Sequence, residues 1–116
     1  MSTAKLETTV KKGVYKFFWE GLAEDEDGDA AFVGGLTDLC AQLTGTFSSE
    51  TVTIQGSVDG VNFVALNDLQ DGSLAFTGAG LSAIQERPLW IRPSCGTGGG
   101  AGTVDVDISI SGMRPV

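Results

Sequence analysis

Apolar and polar residues alternate with a period of two along much of this chain, the mark of strands half buried in a sheet. In residues 51–58, Val52, Ile54 and Val58 fall on one face, and Thr51, Thr53, Gln55 and Ser57 on the other. Residues 104–111 alternate more cleanly: Val104, Val106, Ile108 and Ile110 point inward, and Asp105, Asp107, Ser109 and Ser111 outward. Residues 13–20 place Tyr15, Phe17 and Trp19 opposite Val14, Lys16, Phe18 and Glu20. Residues 39–47 set Leu39, Ala41, Leu43 and Phe47 against Cys40, Gln42, Thr44 and Thr46. Shorter candidates lie at 74–77 and at 89–93, where Pro88 and Pro93 argue for an edge or a short pairing. Asp59-Gly60, between two β-rich runs, predicts a type I′ hairpin turn. Residues 80–86 predict one or two helical turns that stop before Pro88.

With no long amphipathic helix in the pattern, bundles and α/β folds are excluded. Seven or eight short strands predict an all-β fold: one antiparallel β-sandwich, with a jelly roll favoured over an immunoglobulin-like arrangement. The length of 116 residues suits a single domain. Residues 14–116 are assigned to it, and residues 1–13 to a flexible basic arm. Glu24 to Asp29 reads as an acidic turn, Gly34-Gly35 as a break, and Cys95 to Gly102 as a flexible tip.

Charge adds a second pattern. Net charge is −8, from 7 basic and 15 acidic residues. Such a surface repels phosphate backbones and anionic lipid, so neither nucleic acid nor membrane is expected as a partner. Lys5, Lys11, Lys12 and Lys16 crowd the start, and no Lys or Arg follows until Arg87. A basic arm leading into an acidic body suits either a solvated tail or contact with acidic surface on a neighbouring subunit. The first residues also lack an apolar signal core.

Candidate chemistry is sparse. The chain has no histidine, so Ser-His-Asp and Cys-His catalysis cannot be assembled, and an enzyme is not expected. Cys40 and Cys95 are expected as free thiols, because one distant pair is weak evidence for a disulfide or for zinc. No cofactor or metal is assigned. Asp25, Asp27 and Asp29 have the spacing of an EF-hand start, but Ala30 and Leu36 occupy the positions that need Gly and Glu. A looser calcium site built on these carboxylates stays open beside the reading as a solvated loop. Phe18, on the face opposite Tyr15, Phe17 and Trp19, suits a subunit contact, and Trp90 suits either a subunit contact or sugar stacking.

The run Thr51 to Leu66 resembles the strand, Gly-Ser-x-Asp-Gly, aromatic, strand hairpin of discoidin-like jelly rolls and of small tailed-phage virion proteins. Phe17 to Leu22, the run Leu74 to Leu81, Ile84 to Pro93, the Gly-rich tip and the final alternating strand look like the phage group in particular. The resemblance spans roughly residues 14–111 and implies a capsid decoration, or cement, protein. It would be made in the host cytoplasm, bind the outer surface of an assembled head and tie major capsid protein subunits together. It would act as a homo-oligomer, dimer or trimer, at capsid symmetry axes. The interface residues expected are Lys5, Lys11, Lys12, Phe18 and Trp90. The alternative is a carbohydrate-binding, discoidin-like module in a tail or head fibre.

Overall fold

Wherever apolar residues recur at every second position, the chain is extended and paired. The structure is a computed structural model that describes residues 2–3, 5–11, 13–23, 26–47, 50–96 and 105–114, with side chains from residue 13 onward. Twelve strands lie among these residues. In chain order they are β1 (Ser2–Thr3), β2 (Lys5–Lys11), β3 (Val14–Leu22), β4 (Asp27–Gly28), β5 (Ala31–Phe32) and β6 (Thr37–Thr46). There follow β7 (Val52–Ser57), β8 (Val64–Ala65), β9 (Ala75–Phe76), β10 (Gly80–Ala83), β11 (Trp90–Cys95) and β12 (Asp105–Met113).

They form two sheets. One runs β10-β6-β12-β3-β2, antiparallel throughout. In the other, β11 lies between β7 and the short strands β4 and β5; β8 and β9 pair along the far side of β7, and β1 joins β4 in parallel. Counting β4 with β5 and β8 with β9 as single positions, β3 to β12 supply eight principal strands in chain order. The sheets then read 1-8-3-6 and 2-7-4-5, the strand order of a jelly roll.

The core fills the space between the sheets. Phe17, Trp19, Leu22, Leu43, Ile108 and Ile110 from one sheet meet Val52, Ile54, Ile91, Leu66 and Leu74 from the other, all buried. Of the β3 face that carries Tyr15, Phe17 and Trp19, the last two are core and Tyr15 packs half-buried against it. The Trp19 indole N–H donates to the Asp29 carbonyl at 2.8 Å, so its one polar atom is satisfied inside.

Several expectations need correction. Residues 80–83 are strand rather than helix: β10 pairs with β6 from Gly80↔Leu43 to Ala83↔Cys40, and Ile84 N donates to Leu39 O. A helix this short gains too few internal hydrogen bonds to compete with an open sheet edge. Residues 90–93, expected at an edge or in a short pairing, belong to the central strand β11. Cys95 N donates to Glu26 O on the β4 side, so by alternation the Pro93 nitrogen faces that same side. The missing N–H therefore falls in the gap between β4 and β5. Gly28 leaves room there, since a Cβ on it would lie 2.8 Å from the proline ring.

The hairpin at Asp59-Gly60 exists, but residues 58–63 connect β7 to β8, where a two-residue turn was expected. Cys95 ends β11 rather than opening a loop, and residues 97–104, including Val104, lie outside the described residues. Cys40 and Cys95 sit on different sheets and are not joined. Residues 5–11, expected to lie outside the sandwich as an arm, form β2 and pair along β3 from Lys5↔Trp19 to Lys11↔Val14.

Candidate functional site

Alternation along β11 buries Ile91 and Pro93 and turns Trp90, Arg92 and Ser94 to the outer face of the sheet. Each meets a partner set by register. Trp90 lies opposite Phe32 of β5, with ring centroids 5.1 Å apart at 71°, an edge-to-face pair. Arg92 lies opposite Gln55 of β7, and its Nε donates to Gln55 Oε1 at 2.9 Å. Its guanidinium stacks 4.1 Å from the Phe63 ring centroid and stands 3.7 Å from Asp27 Oδ2. Ser94 Oγ donates to Asp27 Oδ1 at 2.5 Å.

Beside this face, residues 57–62 build a turn from their own polar atoms. Ser57 Oγ accepts from Asp59 N and Gly60 N at 3.1 and 2.9 Å, and donates to Asp59 Oδ1 at 2.7 Å. Asp59 Oδ1 also accepts from Val61 N and Asn62 N, both at 2.8 Å, and Asp59 Oδ2 from Asn62 Nδ2 at 2.9 Å. The backbone N–H groups of Asn62 and Val61, then Ser57 and the Asn62 side chain, hold the Asp59 carboxyl far below the usual carboxylate range. Gly60, at φ +76°, takes the left-handed conformation the turn requires. Three adjacent pyrrole atoms of Trp90 lie 3.3–3.5 Å from where a Cβ on Gly60 would sit, so the turn passes over the indole face.

The Gly-Ser-x-Asp-Gly run is thus a self-capped turn, and it displays apolar groups. Val58, Val61 and Val64 are exposed, Val61 at 78%. Phe32 is 53% and Leu89 41% exposed, and both close on Gly34. An open groove of about 310 Å³ continues the surface between Val58, Val64, Leu66, Arg87 and Pro88. A second, about 220 Å³, runs from Phe32 past Tyr15 to Arg114, whose guanidinium lies 5.3 Å from the Tyr15 ring centroid. One end of the sandwich therefore gathers an apolar surface flanked by Arg87 and Arg114, with Glu86 lining the first groove beside Arg87. Its chemistry is that of contact and hydrogen bonding.

Of the interface residues expected from the sequence, Trp90 belongs to this end, and Lys11, paired with Val14, lies at the same end of the other sheet. Phe18 is half-buried on the outer face of the other sheet, with Lys16 Nζ 5.5 Å from its ring centroid. Lys5 and Lys11 lie on β2, the outermost strand of that sheet, and Lys12 lies outside the described residues. In the acidic turn, Asp25 is outside them too, and Asp27 is engaged by Ser94 and Arg92. No group of three or more His, Cys, Asp or Glu among the described residues is placed to hold a metal ion. Sequence reading missed Phe32, Phe63 and Arg92. The available signal was Val61-Asn62-Phe63, two bulky residues directly after a turn dipeptide.

No family model matches the chain, and no curated protein does. Among solved structures it is similar to the SPBc2 prophage-derived protein YomS, with a TM-score of 0.63 at 13% identity. The match covers 92% of this chain and 100% of that one, and at this identity it shows a shared fold.

Proposed function

We propose that this chain is a non-catalytic structural protein of a tailed-phage virion that binds the outside of the assembled capsid and stabilises contacts between capsid subunits. The observation that carries the reading is the apolar loop end. Twenty apolar residues are buried in the core among the described residues, so folding does not call for Phe32, Val58, Val61, Val64 and Leu89 to stand in water together. Such a patch marks a protein-binding surface. The phage setting is supported by the likeness to a prophage-derived protein along nearly the whole chain. Association as a dimer or trimer at capsid symmetry axes belongs to the same reading.

The carbohydrate-binding alternative needs an open aromatic face, and here Gly60 lies over the Trp90 indole while Phe32 meets it edge to face. That favours a protein partner. The test is co-sedimentation of the purified chain with shells assembled from the major capsid protein of the same phage. Saturable binding, with a raised melting temperature of the shell, is expected. Retention on a glycan array with no sedimentation on shells would reverse the assignment.

A further inference from the structure

We infer that the free edge of β10 is where a second copy of this chain docks, the two β10 strands pairing antiparallel about a two-fold axis at Ser82. The inference takes the dimer of the reading above and assigns its surface, on residues that line neither groove of the loop end.

The edge is open in a specific way. Ile84 N donates to Leu39 O, so by alternation Gly80, Ser82 and Ile84 turn their N–H and C=O toward β6, while Leu81 and Ala83 turn theirs outward. The next outward donor, Gln85 N, is taken by Asn67 O, and there the chain's own pairing stops. Leu81 N, Leu81 O and Ala83 N have no partner among the described residues, and Ala83 O accepts only from Ser82 Oγ at 3.2 Å. An open groove of about 290 Å³ runs along this side, between Leu81, Ser82 and Ala83 and the turn residues Asp68, Leu69 and Gln70. Leu81 and Leu69 are both exposed on its walls.

The remaining edges are guarded. β2 carries Lys5, Glu7 and Lys11, and a bulge falls between Thr9 and Lys11. The outer strands of the other sheet, β1, β8 and β9, are two residues each. Gly80–Ala83 has neither charge, proline nor bulge, and an edge in that state takes up strands.

Its form points to a second copy as the occupant. The open groups fall evenly about Ser82, so a two-fold axis there sets Leu81 against Ala83 of the second copy, and Ala83 against its Leu81. Each pair exchanges both backbone hydrogen bonds. Large then faces small at both positions on the outer face, and the two Ser82 side chains meet at the axis within hydrogen-bonding reach. The window also fits itself. Asn67 bounds it after Ile84, and before Gly80 the chain crosses to β9 in the other sheet, so each copy leaves the pairing where the other is blocked. Asp68 follows Asn67 at the far end of the window, so the like charges of the two copies stay apart.

The contact is small, so the dimer is reversible in free solution and is reinforced where a shell holds two copies side by side. Sedimentation velocity of the full chain over a wide concentration range should show the parent dimerising. Leu81→Lys should raise the dissociation constant at least tenfold. Ala83→Pro should do the same, since it removes an outward N–H and no bond to β6. Both should keep the parent's circular dichroism spectrum; if Ala83→Pro does not, Leu81→Lys, at an exposed side chain, carries the test. Ser82→Cys in a Cys40→Ser background should give a covalent dimer on mild oxidation, because facing Cα atoms of a non-hydrogen-bonded pair lie about 4.5 Å apart. Leu81→Cys in that background should not, its diagonal spacing being about 7–8 Å. A parent that stays monomeric, or a dimer that Leu81→Lys leaves intact, overturns the inference. Cross-linking by Leu81→Cys without Ser82→Cys overturns it as well. A monomeric parent that still sediments with shells leaves the capsid-binding reading standing.

Discussion

Glu50 places a carboxyl group inside the protein, 1% exposed, with neither oxygen hydrogen-bonded. A buried polar group without a partner costs about 1–3 kcal/mol, more when charged. Glu50→Leu should therefore raise the stability read by urea unfolding, by about 1–3 kcal/mol. A loss would mean the carboxylate has a structural role that its surroundings do not reveal. Asp59 is the opposite case, a carboxylate that accepts four hydrogen bonds. Its folded pKa is depressed below its ordinary 3.8, so its stabilisation is fully present above that value and is lost as pH falls through the folded one. The stability gap between parent and Asp59→Asn should stay constant at neutral pH and close in strong acid. A gap that widens on acidification contradicts this sign.

Strand by strand, legibility depended on whether a segment's own pattern decided its pairing. β12 and β7 were plain because Val106, Ile108, Ile110, Val52 and Ile54 alternate with polar residues, and the core takes that set. β11 was misplaced because Pro93 reads as an edge residue until β4 and β5 are seen to leave a gap opposite it. β10 was misread because Gly80–Ala83 has no period, and only the open edge of β6 made it a strand. The loop end was barely legible: Phe32 meets Trp90 and Arg92 meets Gln55 through sheet register, and Phe63 reaches the Arg92 guanidinium from the 58–63 connection, none of which a local pattern encodes. β2 changes an expectation outright. A solvated arm could be removed without effect, whereas Lys5–Lys11 covers the outer edge of β3. Deleting residues 1–12 should expose that edge and lower the melting temperature, by roughly 4–8 °C for each kcal/mol lost. Faster amide exchange should appear along β3, and association should increase through the bare edge. An unchanged melting temperature would restore the arm to its role as a tail.

Across the whole molecule, 15 acidic residues face 7 basic ones, and their placement makes the imbalance local. Asp105 and Asp107 converge on Gly21, the chain neighbour of exposed Glu20, while Arg92 is committed to Asp27 on the other sheet. Like charges so close repel, and salt screens them over a Debye length of about 8–10 Å near physiological ionic strength. The folded state gathers these carboxylates and the unfolded chain spreads them, so screening should favour folding. Raising sodium chloride from about 0.02 to about 0.5 M should increase the melting temperature by a few degrees. Salt also strengthens apolar burial slightly, so the discriminating measurement is Asp105→Asn. If carboxylate repulsion is the cause, this variant starts from a higher melting temperature at low salt and gains less from added salt than the parent. Equal gains in both would assign the effect to burial. A fall with salt would mean that attractive pairs outweigh the repulsion at the acidic end, and that end would then be stapled by charge.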